Sequence, residues 1–147
     1  ELSKVGDIDT AVITLTYEDG TMAIIDNSRE ASYGYDQRVE VFGSKGMVKA
    51  ENNLHNTHQL FNSKGSHGSL PLHFFLERYA DAYKKEIGDF TRSLVDQTDL
   101  PVGGNDGLQS LLIGLAAIKS LNENRPVKVS EIDSSQEITM IIDKVSI

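Results

Sequence analysis

Residues 31–46 read ASYGYDQRVEVFGSKG, and the chemistry there is dense: Tyr33 and Tyr35 flank Gly34, and Asp36, Gln37 and Arg38 follow directly. On a regular strand Tyr33, Tyr35 and Gln37 share one face with Val39 and Val41, while Gly34, Asp36, Arg38 and Glu40 share the other, because alternate side chains point alike. Two phenols side by side offer flat apolar rings to the C–H face of a polyol, and the hydroxyl, amide and charged groups beside them suit its OH groups. Gly34 admits a ligand or another backbone between the rings, or permits a bulge that re-aims Asp36 and Arg38. The plainer alternative is cross-strand aromatic packing with an Arg38–Glu40 surface pair. A second group lies in LERYADAYKKE, residues 76–86, where Tyr79 and Tyr83 stand one helical turn apart. They fall on the core-facing stripe, so packing is the default reading. A phenol in that position still needs a partner for its OH, which a wet cleft would supply. Arg78 points off the stripe, as a solvated charge or an anion clamp.

The elements that must position these residues follow from periodicity. TAVITLTY, residues 10–17, alternates as a half-buried strand, and Glu18, Asp19 and Gly20 turn the chain. Residues 21–43 have β-branched or aromatic ends and a polar middle, which predicts two strands or one long bent strand. Residues 44–46 make a hairpin turn into MVKAEN, and HQLF at 58–61 is a weaker strand. After Pro71 the period changes. Leu76, Ala80, Tyr83, Ile87, Phe90 and Leu94 recur at helical spacing and predict one long helix over roughly 73–97. A second helix is expected from an N-cap at Asn105 or Asp106, through Leu108, Leu111, Leu112, Leu115 and Ile118, ending before Pro126. Val127–Val129 and ITMIIDKV, residues 138–145, are further strand candidates. Strands first and helices afterwards predict an α+β domain: an open, mostly antiparallel sheet with two long helices on one face and the other face available for a second copy.

Composition narrows the function. At 147 residues the chain is one domain by length, with 39% hydrophobic and 24% charged residues, as in globular proteins. A net charge of -8 repels the phosphates of nucleic acid and anionic lipid alike, so neither is expected as a partner. The absence of cysteine removes disulfides, thiolate metal sites and thiol nucleophiles, and suits a reducing cytoplasm. The longest apolar run, LLIGLAAI, is too short for a membrane span. GxGxxG, Walker, HExxH, GxSxG and EF-hand patterns are missing from the sequence. His55, His58, His67 and His73 sit among Asn, Ser and Gly without a close carboxylate and read as loop histidines, so no metal is expected. GSKG and GSHG read as turns, since neither joins a strand to a helix start in a βαβ unit.

YGYDQRVEVFGSKGM, residues 33–47, resembles the sheet motif of bacterial inositol 2-dehydrogenases, within the glucose–fructose oxidoreductase family. RYADAYKKEIGDF, residues 78–90, resembles the helix motif that follows it there. DGLQS at 106–110, with AAIKSL and NRPVKV after it, is similar to the closing helix and final strand. The likeness covers residues 1 to about 131; residues 132–147 depart from it and form a tail of uncertain structure.

The resemblance implies a C-terminal substrate-binding and oligomerisation domain over 1–131, preceded in the parent enzyme by a Rossmann domain absent from this chain. It implies oxidation of a ring secondary alcohol of myo-inositol to a ketone, with hydride passing to NAD bound by that other domain. The family's catalytic lysine, in Glu-Lys-Pro, and its Asp-xxx-His pair have no counterpart here, so the chain is expected to hold no catalytic residue, bind no NAD and be inactive alone. By the same resemblance Tyr35, then Tyr33, are the expected substrate contacts, with Tyr79 and Tyr83 next and Asp36, Arg38 and Arg78 in support. The expected partners are a polyol and further copies of the chain, as dimer or tetramer through the sheet face, in the cytoplasm. The competing expectation is a non-catalytic sheet module for polyol binding or assembly.

Overall fold

A computed structural model describes residue 4 and residues 6–132. The chain divides into two compact units, with the boundary between Gly88 and Asp89.

In the first unit, alternating patterns produce antiparallel hairpins. Strand β1 (Thr10–Thr16) pairs with β2 (Met22–Ser28), placing Ile13 opposite Ile25 and Leu15 opposite Ala23. These four side chains are half-buried on one face, while Val12 and Ile24 on the other are exposed. Asp19 closes the turn by accepting the Thr21 N–H at 2.9 Å, and Gly20 takes a φ of +84° that suits glycine. Strand β3 (Val39–Gly43) pairs with β4 (Gly46–Ala50) around Ser44 and Lys45, setting Val41 against Val48 and Phe42 against Met47. Strand β5 (Gln59–Asn62) pairs with β6 (Gly65–Gly68). GSHG, whose composition reads as a turn, is therefore a strand: Asn62 accepts the Lys64 N–H at 2.8 Å and reverses the chain one step earlier.

The α+β class and the antiparallel pairing are those expected from the sequence, and the 21–43 run is two strands. Among the described residues the pairing is divided among three two-stranded ladders, each built by neighbours in sequence, because the polar stretches 29–38 and 51–58 separate one hairpin from the next.

The helix expected over 73–97 is interrupted. Helix α1 (Phe75–Arg78) ends at Tyr79, whose φ of -108° and ψ of 10° leave the helical region, and α2 (Ala80–Asp96) continues beyond it. Leu76, Ile87, Phe90 and Leu94, read as a core stripe, are exposed, and Ser93 is the buried residue of α2. Helical spacing fixes which residues share a stripe, but not whether another element covers it.

In the second unit α3 (Gly104–Glu123) begins slightly earlier than its sequence signal. Gly103 is the N-cap, and Asp106, instead of capping, reaches back from the first turn to accept the Gly103 N–H at 2.7 Å. Leu112, Ala116 and Ile132 form a buried cluster, with Leu108, Leu115, Val127 and Val129 packed around it. Val127 and Val129 thus contribute apolar surface, but the strand expected there is extended chain running into a 3-10 turn, Val129–Glu131. Arg125 fixes that turn, donating to both carboxylate oxygens of Glu131 at 3.3 and 2.7 Å and to Glu123 at 2.7 Å. The strand expected at 138–145 lies outside the described residues.

Candidate functional site

Residues 31–38 connect β2 to β3 as turns and extended chain, not as a strand. Gly34 explains the departure. Its φ is +133°, and a Cβ placed there would lie 2.8 Å from the Pro71 carbonyl oxygen. The Tyr35 N–H donates to the Leu72 carbonyl at 2.9 Å, and the Leu72 N–H donates to Asn53 at 3.2 Å, so the tyrosine segment is pressed against residues 71–72. With Gly34 outside β geometry, Tyr33 and Tyr35 do not lie side by side. They face different partners.

Tyr33 turns to Asp36, donating its hydroxyl to Oδ2. Arg38 grips the same carboxylate through Nε to Oδ1 at 2.8 Å and Nη2 to Oδ2 at 2.9 Å, and Asn52 Nδ2 donates to Oδ1 at 2.6 Å. The Arg38–Glu40 pair expected on a strand gives way to this fork, which suits planar guanidinium better. Four donated hydrogen bonds occupy a carboxylate with about four acceptor sites, so Asp36 has no capacity left for a ligand hydroxyl. The bonds from Arg38, Tyr33 and Asn52 hold its carboxyl far below the usual aspartate range. Conversely, Asp36 raises the Tyr33 phenol and the Arg38 guanidinium above their ordinary values.

Tyr35 turns to the helices. Its ring meets Tyr79 edge-on, with centroids 5.6 Å apart and planes at 85°, and Tyr79 meets Tyr83 at 6.1 Å and 73°. The Tyr79 hydroxyl donates to Gln37 Oε1, which supplies the partner a half-buried phenol requires. Desolvation first, then hydrogen bonding with Tyr35, raises the Tyr79 phenol. The Arg78 guanidinium carbon lies 5.5 Å from the Tyr79 centroid, in cation–π range, and the buried Arg78 Nε has no conventional hydrogen-bond partner among the described residues.

The seven candidate residues therefore form two groups. Tyr33, Asp36 and Arg38 make a charged brace; Tyr35, Tyr79, Tyr83 and Arg78 make an aromatic cluster. Gln37, a single residue between Asp36 and Arg38, joins the groups. A hollow of about 490 Å³ opens beside the brace, lined by Tyr33, Asp36, Arg38, Glu51, Asn52, Leu54 and Pro71. The aromatic cluster does not line it, and with Asp36 saturated the remaining carboxylate of its lining is Glu51, which pairs with Lys49. Sequence reasoning passed over Asn52, which lies past the end of β4 in a run of ordinary polar residues; its contacts are 15 and 16 residues away in sequence, with no periodic signal to reveal them. Among the described residues no three His, Asp or Glu side chains gather as metal ligands, and no helix is long and apolar enough to cross a membrane.

Comparison with known proteins gives this geometry a context. The chain is 48% identical over 132 residues to the myo-inositol 2-dehydrogenase of Thermotoga maritima, covering 90% of this chain and 40% of that protein. It is 40% identical over 130 residues to the inositol 2-dehydrogenase of Rhizobium meliloti, covering 88% of this chain and 39% of that one. The crystal structure of scyllo-inositol dehydrogenase from Lactobacillus casei, with bound NAD(H) and scyllo-inositol, superposes with a TM-score of 0.78 at 31% identity, covering 87% of this chain and 38% of that one. The chain thus spans about two fifths of the length of these relatives. Residues 2–129 match the family described as the oxidoreductase family, C-terminal alpha/beta domain, and the chain belongs to that family.

Proposed function

We propose that this chain is the substrate-binding and oligomerisation domain, over residues 1–131, of an NAD-dependent inositol 2-dehydrogenase-like enzyme. The observation that carries the reading is the aromatic cluster: Tyr79 meets the rings of both Tyr35 and Tyr83, so three phenols follow one another edge to face, backed by a hydrogen-bonded frame. Rings of this kind stack on the C–H face of a cyclic polyol, and their oxygens exchange hydrogen bonds with its OH groups. Tyr35 is the leading contact, with Tyr79 and Tyr83 beside it. Tyr33 contributes mainly its ring, since its hydroxyl proton is committed to Asp36. Asp36, Arg38 and Arg78 hold the tyrosines in place.

The reaction itself, conversion of a ring secondary alcohol of myo-inositol to a ketone, needs a base for the hydroxyl proton and a nicotinamide close to the carbon. Neither falls on this chain. In this reading NAD is bound by a separate nucleotide-binding domain, and this domain fixes the ring so that one C–H faces the nicotinamide. The reaction takes place in the cytoplasm.

Two measurements test the reading. The 147-residue chain alone gives no myo-inositol-dependent reduction of NAD above background; turnover in purified material would place the chemistry here and overturn the assignment. In the dehydrogenase carrying this domain, Tyr35→Phe keeps the ring and loses one hydrogen bond, which lowers kcat/KM for myo-inositol about threefold to tenfold. Unchanged kinetics in that variant would remove Tyr35 as a hydroxyl contact, and lower thermal stability with intact kinetics would assign the hydroxyl to packing.

A further inference from the structure

Asn52 makes two hydrogen bonds of opposite sense to consecutive residues. Its Oδ1 accepts the Gln37 N–H at 2.8 Å, and its Nδ2 donates to Asp36 Oδ1 at 2.6 Å. Those two bonds fix the carboxamide's orientation, since reversing it would set donor against donor and acceptor against acceptor. Asn52 is half-buried in a stretch where its neighbours are exposed. The next residue extends the frame: Asn53 O accepts the Leu72 N–H, and Leu72 O accepts the Tyr35 N–H. The 52–53 segment therefore holds the backbone on both sides of Asp36, at Tyr35 and at Gln37. From the anchored Gln37, Oε1 accepts the Tyr79 hydroxyl proton. A phenol has one proton to donate. Once it is committed inward, the Tyr79 oxygen can only accept.

We infer that Asn52 is a positioning residue for polyol recognition: by fixing Gln37 it commits the Tyr79 proton inward, so that Tyr79 meets a ligand as a hydrogen-bond acceptor and takes an O–H from the polyol or from Tyr35. The inference rests on the polyol reading above, but the Asn52–Gln37–Tyr79 linkage can be tested apart from it. The side chain does not touch the polyol. It selects ligands that place a hydroxyl, rather than an ether or carbonyl oxygen, at the Tyr79–Tyr35 edge.

The test combines two readouts. In the 147-residue chain, the isotope-labelled Cζ resonance of Tyr79, assigned by its loss in Tyr79→Phe, reports the state of that hydroxyl. Asn52→Ala and Gln37→Leu are each expected to shift it in the same direction. In the dehydrogenase carrying the domain, each variant is expected to raise the KM for myo-inositol about threefold to tenfold with a smaller effect on kcat, as for the loss of one neutral hydrogen bond. The double variant is expected to be no worse than the more impaired single, because both act through the same phenol. A Tyr79 resonance unmoved in Asn52→Ala, or KM losses that multiply in the double variant, would overturn the inference. Gln37→Leu leaves both Asn52 bonds in place, so if Asn52→Ala does not fold, an unmoved Tyr79 resonance in Gln37→Leu overturns it equally. If Tyr35→Phe and Tyr79→Phe both leave KM unchanged, the polyol reading fails, and with it the ligand half of the inference. The Tyr79 resonance then decides the linkage alone.

Discussion

Asp36 accepts four side-chain hydrogen bonds, and its environment dictates how the brace responds to pH. A carboxyl whose folded pKa lies below its unfolded value, about 3.9, contributes stability that is complete above the unfolded value and is lost as pH falls through the folded one. The Arg38, Tyr33 and Asn52 bonds lower Asp36 well below that range, so the brace stays ionised after ordinary carboxylates have protonated. Tyr33 behaves oppositely: the Asp36 bond raises it, so its contribution is complete below the ordinary tyrosine pKa, about 10, and is lost as pH rises through the folded value. Asp36→Asn puts an NH2 where Tyr33 or Arg38 now donates. It is expected to cost about 1–3 kcal/mol in urea unfolding. Tyr33 should also ionise at lower pH in that variant, and the chain's five tyrosines can be followed in the near ultraviolet because it has no tryptophan. An unchanged urea midpoint would show that the brace contributes little to folding.

At the scale of elements, both long helices end on non-glycine residues in the left-handed region: Gln97 after α2, with φ 54°, and Asn124 after α3, with φ 51°. Asparagine tolerates that conformation; glutamine does not gain the same local hydrogen bonding. The Thr98 N–H to Ser93 O bond, at 3.0 Å, requires the chain to turn there nonetheless. Gln97→Gly is therefore expected to stabilise the chain by roughly 0.5–1 kcal/mol, read as a higher unfolding midpoint, whereas a lower one would show that the glutamine side chain matters. The clip after α3 has its own pH signature. Arg125 and the Lys128 N–H lower Glu131 from 4.5 to about 2. Its contribution is complete above 4.5 and is lost as pH falls toward about 2. Glu131→Gln should flatten the decline of stability across that window, and an unchanged acid limb would discount the clip.

At the scale of the whole molecule, large apolar side chains stand exposed among the described residues. Val41 and Val48 on one face of the second hairpin are 62% and 73% exposed, and Phe42 and Met47 on the other are 83% and 55% exposed. A hairpin with both faces apolar suits a second copy of the chain, consistent with the proposed role in assembly, because adjacent exposed apolar patches usually mark interfaces. The net charge of -8 opposes association only weakly at physiological salt, where screening acts over about 8 Å. The wild-type chain is expected to sediment as a dimer or larger at tens of micromolar, and Phe42→Glu to shift it toward monomer. A wild-type monomer under those conditions would count against the hairpin as an interface.

Periodicity makes the longer elements legible in the sequence alone. Alternation in TAVITLT and VEVFG, and three- and four-residue spacing from Ala80 to Leu94 and from Leu108 to Ile118, depend on neighbours a few residues apart, so these strands and helices could be read directly, whereas GSHG, a strand with no apolar alternation, could not. The family motifs in 33–47 and 78–90 are equally local. What local pattern could not carry was any choice made between distant segments. Gly34 leaves the strand because Pro71 and Leu72 lie against it, which separates two tyrosines that alternation would have placed side by side. Tyr79 departs from the helix with its ring on Tyr35 and its hydroxyl on Gln37. Asn52 enters the frame through two hydrogen bonds that span the second hairpin. A side chain's type and its short-range spacing are properties of the sequence, whereas the partner that uses up its proton or lone pair is supplied only when the chain folds back on itself.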